Sequence, residues 1–264
     1  MFYVLFSLKR EASLLLSLIE KAKKSRISGH RVYSGYIDGE SVRVIFTGMG
    51  KKELSEEIFK EKGLVISSGV CGALVPELKT GHVVISSECN YIDSDVTQEI
   101  LGSLKKRQSG IRFFFGDFIE GNIVEELKQK YNSFRKTFGF SRELAGFIKE
   151  SMDEAGLTNG LYKTLTVPKI IKNEAQKVLL NGVTGCGSVE MEDYHRAEFA
   201  RKLGLDIVSL RVVLDEIIDD VPTFRTGFNV PNKAYSLFLK LSMASEVLAF
   251  SVKQVIKSLK NLKW

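Results

Sequence analysis

The run Val189-Glu190-Met191-Glu192-Asp193 places three carboxylates within four residues, where the pattern predicts the start of a helix. Acidic side chains suit the positive end of a helix dipole, and Glu192 stands four residues before Arg196, the spacing of a helix ion pair. The same carboxylates could instead grip a diol. Glu190 and Glu192 are two residues apart and point to nearly opposite sides, so they cannot share one task. Asp215 follows the apolar run Ile207 to Val213. An aspartate there either caps a turn or, beside a dry pocket, becomes a carboxylic acid of raised pKa fit for general acid work. Glu11 ends the first β-prone stretch in a comparable position, where a first-turn helix glutamate is the ordinary alternative.

Two glycine-rich segments accompany these carboxylates. Thr47-Gly48-Met49-Gly50 follows a strand, as a dinucleotide-binding turn would, but Glu53 stands where the third glycine of that fingerprint belongs. Its charge would oppose a pyrophosphate, so no dinucleotide cofactor is expected, and a tight turn near a small ligand accounts for the glycines. Ser68-Gly69-Val70-Cys71-Gly72-Ala73 reads as a second turn. It is either a crossover needing left-handed backbone or a place where N–H groups approach a ligand closely. Cys71 has no histidine demonstrably beside it, since His30, His82 and His195 are all remote in sequence, and it is not read as a nucleophile.

The elements that must position these residues alternate between strand and helix. Phe2 to Ser7 reads as a strand, and Arg10 to Lys23 as a helix with Leu14, Leu15, Leu18, Ile19 and Ala22 on one face. Val32 to Ile37 and Val42 to Phe46 form a hairpin about Asp38-Gly39. Lys51 to Lys62 reads as a helix stopped by Gly63; Leu64 to Ser68 and His82 to Ser86 read as buried strands. Between Asn90 and Phe140 the signals thin to a strand candidate at Arg112 to Phe115 and a short helix from Asn122 to Tyr131. A helix from about Ser141 to Ala155, a strand at Leu161 to Val167 and a helix from Glu190 to Leu203 come next. Asp206 to Val213 reads as a fully apolar strand, and a long amphipathic helix from about Asn232 to Lys260 closes the chain. The pattern predicts one domain over residues 1–264, a three-layer α/β/α sandwich with a mixed central sheet. Ligands in such sheets bind where loops leave strand ends, here 7–11, 47–51, 69–76, 166–173, 185–192 and 213–228.

Composition agrees with a soluble globular protein. With 44% hydrophobic and 27% charged residues, only 4 prolines and no low-complexity run, the 264 residues contain no visible linker. The net charge of +6 is scattered, and the basic runs at Lys21 to Arg26 and Lys253 to Lys263 are short and lack interleaved aromatics. Nucleic acid is therefore not an expected partner. Three cysteines without CxxC spacing argue against a disulfide framework or a metal site and for a reducing cytoplasm. Met1 to Leu8 is too short for a membrane span and lacks a basic leader, so neither span nor signal peptide is expected.

Together and in order, these segments resemble the superfamily of purine and uridine phosphorylases and 5′-methylthioadenosine/S-adenosylhomocysteine nucleosidases. The carrying residues are Leu8-Lys9-Arg10-Glu11, Thr47-Gly48-Met49-Gly50-Lys51, the stretch from Gly69-Val70-Cys71-Gly72 through Pro76-Glu77-Leu78-Lys79-Thr80-Gly81, Val189 to Glu192, and Leu210 to Asp215. The resemblance runs from about residue 3 to about residue 255, weakly over 90–140, and is nearest to the nucleosidase and hopanoid-associated branches. It implies that Asp215 protonates the purine at N7, that Glu11 polarises the attacking water, and that Glu192 accepts from the ribose hydroxyls with Met191 packed against the sugar. It places Val70, Cys71 and Gly72 against the substrate, and lines the base pocket with backbone from Thr166 to Ile171. It further implies a homodimer or larger homo-oligomer, and phosphate as co-substrate only in a phosphorylase. Phosphorylases of the family carry an arginine where Ser67 stands and a hydroxyl where Val70 stands, so the resemblance favours hydrolysis. Thr166-Val167-Pro168 and Leu214 depart from the nucleosidase pattern and imply a bulkier or more apolar nucleoside than methylthioadenosine; Val70 and Leu214 leave binding without turnover as an alternative.

Overall fold

The computed structural model describes residues 1–105, 121–221 and 231–260. The chain begins with β1 (Phe2–Phe6), a short α1 (Ser13–Ser17) and the antiparallel run β2 (Glu20–Ile27), β3 (His30–Ile37) and β4 (Glu40–Phe46). After a single 3-10 turn at Glu56–Ile58 come β5 (Leu64–Ala73), β6 (Val83–Tyr91), α2 (Ser94–Lys105), α3 (Gly121–Phe134), β7 (Lys136–Gly139) and α4 (Arg142–Glu154). The remainder is β8 (Asn159–Thr166), α5 (Glu174–Thr184), β9 (Ser188–Glu190), α6 (Asp193–Lys202), β10 (Asp206–Asp215) and α7 (Pro231–Leu259).

The expected mixed sheet with helices on its faces is present. Its order is β10-β6-β8-β9-β5-β1-β4-β3-β2, and β10 also pairs with β5. Five strands, β5, β10, β6, β8 and β9, therefore close on themselves; β1, β4, β3 and β2 extend from β5 as an open sheet, and β7 pairs with β6. Strand alternation sorts the core to two faces. Phe2, Val4 and Phe6 pack with residues of α1, α4 and α7, whereas Tyr3 and Leu5 pack with Tyr194, Ala197 and Ala200 of α6. The hairpin forms as expected: Asp38 and Gly39 both have positive φ, 49° and 84°, as a type I′ turn requires.

Four local expectations are corrected. The helix expected over 10–23 stops after α1, and its lysine-rich second half is the outer strand β2, paired with β3. Strand pairing overrides helical periodicity there, and exposed lysines blunt the sheet edge. The helix expected over 51–62 is reduced to the 3-10 turn, because Ile58 and Phe59 are drawn into the core beside Tyr3. The turn expected at 69–73 is strand, for a reason given below. The strand Asp206 to Val213 is not fully apolar, since Ser209 and Arg211 are buried within it. Helix α5 had no counterpart in the sequence reading, and the strand candidate at Arg112 to Phe115 lies outside the described residues. Among the described residues no helix is long and apolar enough to cross a membrane.

Candidate active site

Strands β5 and β10 run parallel with Gly69 opposite Arg211 and Gly72 opposite Asp215. Glycine is needed at both places because side chains cross the strand. A Cβ on Gly69 would stand 2.5 Å from Arg211 Nη1 and 3.3 Å from Glu11 Oε1; one on Gly72 would stand 2.9 Å from Asp215 Oδ2. The run of small residues is thus an extended strand with gaps for functional groups, and not a turn.

Arg211 is fully buried, and a desolvated guanidinium persists only where its charge is matched. Its Nε and Nη2 donate side-on to Asp193 at 3.1 and 2.5 Å. Nη2 also donates to Glu190 at 3.0 Å, and Nη1 lies 3.5 Å from Glu192 Oε2. Ser209 donates to Asp193 Oδ2 at 2.5 Å and Ser67 to Oδ1 at 2.6 Å. Ser86 donates to Ser209 at 3.0 Å, so its remaining contact, with Thr164 at 2.7 Å, must be one it accepts, and Thr164 in turn accepts from Ser188 at 3.0 Å. A one-way chain of hydroxyl protons across β9, β8, β6 and β10 therefore ends on Asp193. Burial raises the Asp193 pKa, but Arg211, Ser209 and Ser67 outweigh it and hold the carboxyl below the usual aspartate range. Glu190 receives N–H groups from Glu192 and Asp193 at 2.6 and 2.8 Å, and the Thr166 hydroxyl. Burial, with Asp193 beside it, still pushes Glu190 up to about 8.

The ion pair expected between Glu192 and Arg196 does not form. Glu192 is the residue before α6, and only its carbonyl meets the Arg196 N–H, at 3.1 Å. The Arg196 guanidinium turns inward to Ser7 and Thr47 at 2.8 Å each, Ser67 at 3.0 Å, and the carbonyls of Leu5 and Ser68 at 3.3 Å each. Glu192 Oε1 instead accepts the Gly50 N–H at 2.8 Å, which ties the Thr47–Gly50 loop to the site.

Glu11 accepts from the Leu8 N–H at 2.8 Å and, through its other oxygen, from the Val70 N–H of β5 at 3.3 Å. Burial pushes its pKa up, against the pull of the Leu8 N–H and Arg211. At the far end of β5, Asp215 lies 2.5 Å from Lys177 Nζ, a fully buried ammonium from α5. Its pKa is also raised by burial, with Lys177 opposing. Two carboxylates with raised pKa values, one at each end of a short strand segment, can divide the labour of a base and an acid.

The chain matches the phosphorylase superfamily over residues 4–234. It belongs to that superfamily. Members of the phosphorylase superfamily are enzymes, and solved structures of the same fold accompany the match. The 5′-methylthioadenosine/S-adenosylhomocysteine nucleosidase from Neisseria meningitidis, in complex with methylthio-immucillin-A, superposes with a TM-score of 0.70 at 19% identity, over 98% of this chain and 99% of that one. The S-adenosylhomocysteine nucleosidase from Streptococcus pyogenes gives 0.70 at 15%, over 100% and 97%. A futalosine hydrolase mutant of Helicobacter pylori gives 0.68 at 17%, over 97% and 98%. At these identities the likeness establishes the fold.

In this superfamily chain the structure draws together most residues singled out from the sequence. Glu11, Val70, Gly72, Glu192 and Asp215 converge along β5 and β10. Met191 is half-buried beside Glu192, and Ile171 joins the apolar cluster of Leu74, Val167 and Val189, the last of which pairs with Gly72. Cys71 sits among Ala73, Leu78, Val84 and Val213, and burial pushes its thiol pKa up, which accords with a packing role and not a nucleophile. Among the described residues no group of three His, Cys, Asp or Glu side chains could hold a metal ion. A cleft of about 360 Å³ beside Phe138, Phe140 and Arg201 lies at the opposite end of β10. Sequence reasoning read Asp193 only as one of the carboxylates at a helix start and gave Arg211 and Lys177 no role. For Arg211 the available signal was a charged residue in the middle of a largely apolar strand, which must find buried partners.

Proposed function

We propose that this chain hydrolyses the N-glycosidic bond of a purine nucleoside, an adenosine derivative modified at the 5′ position. The observation that carries the reading is the placement of two carboxylates, Glu11 buried and Asp215 half-buried, against one strand, β5. Glu11 is bonded to the Val70 N–H and Asp215 lies against Gly72, so the two carboxyl groups meet β5 two residues apart. An acid on the leaving-group side and a base opposite, with a water between, is the division of labour of an inverting glycosidase. Asp215 gives its proton to the purine as the C1′–N9 bond breaks and the bonding pair leaves with the base. Water adds to C1′ and yields its own proton to Glu11. Glu192, beside Glu11 and anchored by Gly50 and Arg211, accepts from the ribose hydroxyls.

The surrounding charge supports this chemistry. Glu11, Glu192 and Asp193 bring carboxyl oxygens into the same interior as Arg196 and Arg211, so a sugar carbon that becomes positive in the transition state meets acceptors there. The named neighbours, a 5′-methylthioadenosine/S-adenosylhomocysteine nucleosidase and a futalosine hydrolase, support the substrate class by analogy. Phosphorolysis is the second reading, and Arg196 is the observation behind it, because its guanidinium reaches Ser67. Both of its Nη groups are already spent on five oxygen acceptors, which favours water over phosphate as the nucleophile. A panel of nucleosides incubated with and without phosphate decides the matter. Free base plus ribose in both conditions is the expected result. Ribose 1-phosphate formed only with phosphate would select phosphorolysis, and tight binding of adenosine analogues without turnover would establish a binding protein.

A further inference from the structure

Lys177 occupies an unfavourable place for a cation. It lies in the first turn of α5, where the helix dipole is positive, and it is fully buried. The N-cap Asn173 fixes that helix start by accepting the Gln176 N–H at 3.1 Å. All three ammonium protons are used: one on Asp215 Oδ2 at 2.5 Å, one on the Glu216 carbonyl and one on the Asp219 carbonyl at 3.1 Å. No donor is left for a ligand, so any part Lys177 plays in the reaction passes through Asp215. Among the described residues, the groups that face Asp215 are Lys177 from α5, Asp219 in the loop after β10, Lys240 from α7 and the Cys71 thiol from β5. Lys240 is paired with Asp219 at 2.6 Å, so the cation in contact with Asp215 is Lys177.

We propose that Lys177 is a positioning residue for the acid, which holds Asp215 by Oδ2, leaves Oδ1 to meet the purine nitrogen, and stabilises the carboxylate left once the proton has gone. The inference rests on the reading of Asp215 as the general acid. During the step the Oδ1 proton passes to the base, the C1′–N9 pair goes with it, and Asp215 becomes an anion against an ammonium already in place. The reorganisation is done in advance, so the benefit appears in turnover and not in substrate affinity.

The test uses the full chain with Lys177→Met, which removes charge and donors, and Lys177→Gln, which removes the charge and keeps a donor for the carbonyls. An ammonium this close lowers an aspartate pKa by about 1–3 units. Its loss should therefore move the basic limb of the kcat/KM profile upward by about that amount, because the acid keeps its proton to higher pH. At pH values below that limb kcat should fall about 10- to 100-fold, as a weaker acid transfers its proton less readily, with KM nearly constant. Carbon-13 NMR of the labelled Asp215 carboxyl should show the same upward shift without any substrate. An unmoved limb and an unmoved carboxyl titration in Lys177→Gln overturn the proposal. Failure of both variants to fold overturns it too, by making Lys177 a structural lysine. Asp215→Asn separates the two levels: full turnover in that variant sinks the acid assignment itself, whereas an inactive Asp215→Asn with an unmoved limb in Lys177→Gln removes only the role of Lys177.

Discussion

Replacing Glu192 by glutamine separates a ribose grip from a structural glutamate, because the structure assigns different magnitudes to each. Its Oε1 accepts the Gly50 N–H, and a glutamine oxygen can still do so. Its Oε2 is 3.5 Å from Arg211, the longest of that arginine's carboxylate contacts, and Arg211 keeps Asp193 at 2.5 Å and Glu190 at 3.0 Å. The stability lost in Glu192→Gln should accordingly be small, about 1 kcal/mol or about 2–4 °C in Tm. Binding should suffer more. Charge-assisted hydrogen bonds to the ribose hydroxyls are worth about 1.5–3 kcal/mol, which corresponds to roughly 10- to 150-fold in Kd. The assay is calorimetric titration with a non-cleavable adenosine analogue and its 2′-deoxy counterpart. Wild type should discriminate strongly between them, since the deoxy analogue leaves a buried carboxylate unpaired, and Glu192→Gln should barely discriminate at all. A variant that melts several degrees lower yet keeps both its affinity and its 2′-deoxy discrimination would refute the reasoning and reduce Glu192 to an anchor for the Gly50 loop and Arg211.

Other substitutions should fail in different ways. Asp215→Asn keeps the shape without the proton, so single-turnover base release should slow by about 10²–10⁴ while the affinity for a non-cleavable analogue is retained. Glu11→Gln should lose turnover similarly, and crystals soaked with substrate should hold it intact; rapid cleavage in that variant would remove Glu11 from the mechanism. Glu190, raised to about 8, retains its proton in the fold while the unfolded chain ionises near 4.5. Its contribution to stability is thus full below about pH 4.5 and is lost as pH rises toward 8, so Tm should decline across that window and Glu190→Gln should flatten the decline.

The sequence carried the fold at the level of alternation and the site at the level of acidic residues beside glycines. Where a segment's own periodicity agreed with its tertiary place, as in the Asp38-Gly39 hairpin, α4 and α7, the expectation held. It failed where pairing with a distant strand decided the outcome. Arg10 to Lys23 has helical spacing, but from Glu20 onward β3 offers the chain a ladder, and nothing local announces that. The small residues of β5 read as a turn because their purpose is visible only from β10, whose Arg211 and Asp215 side chains need the room. Glu11, Glu192 and Asp215 were legible as individual residues; their network was not, since Asp193 and Ser67 meet across 126 positions and Arg196 and Leu5 across 191.

That network also explains why a superfamily fold would keep an interior so costly to bury. Among the described residues four carboxyl groups meet two guanidiniums at the cluster, and burial answers the mismatch by raising Glu11 and Glu190. A hydrophobic replacement of similar volume would be expected to stabilise the fold, as it often does for buried ionic groups. On the proposed reaction the missing positive charge is supplied for an instant by the sugar itself, when the bond to the base lengthens and C1′ becomes cationic. The hydroxyl chain from Ser188 to Asp193 and the side-on Arg211 contact then serve to keep the carboxylates from rotating to meet one another's needs, so the field is already aimed when the charge appears. The cost of burying the cluster and the stabilisation of the transition state are two consequences of one arrangement, so Glu190→Gln should flatten the pH dependence of stability, and any slowing of turnover would come from displaced neighbours and not from lost charge, because Glu190 keeps its proton below about pH 8.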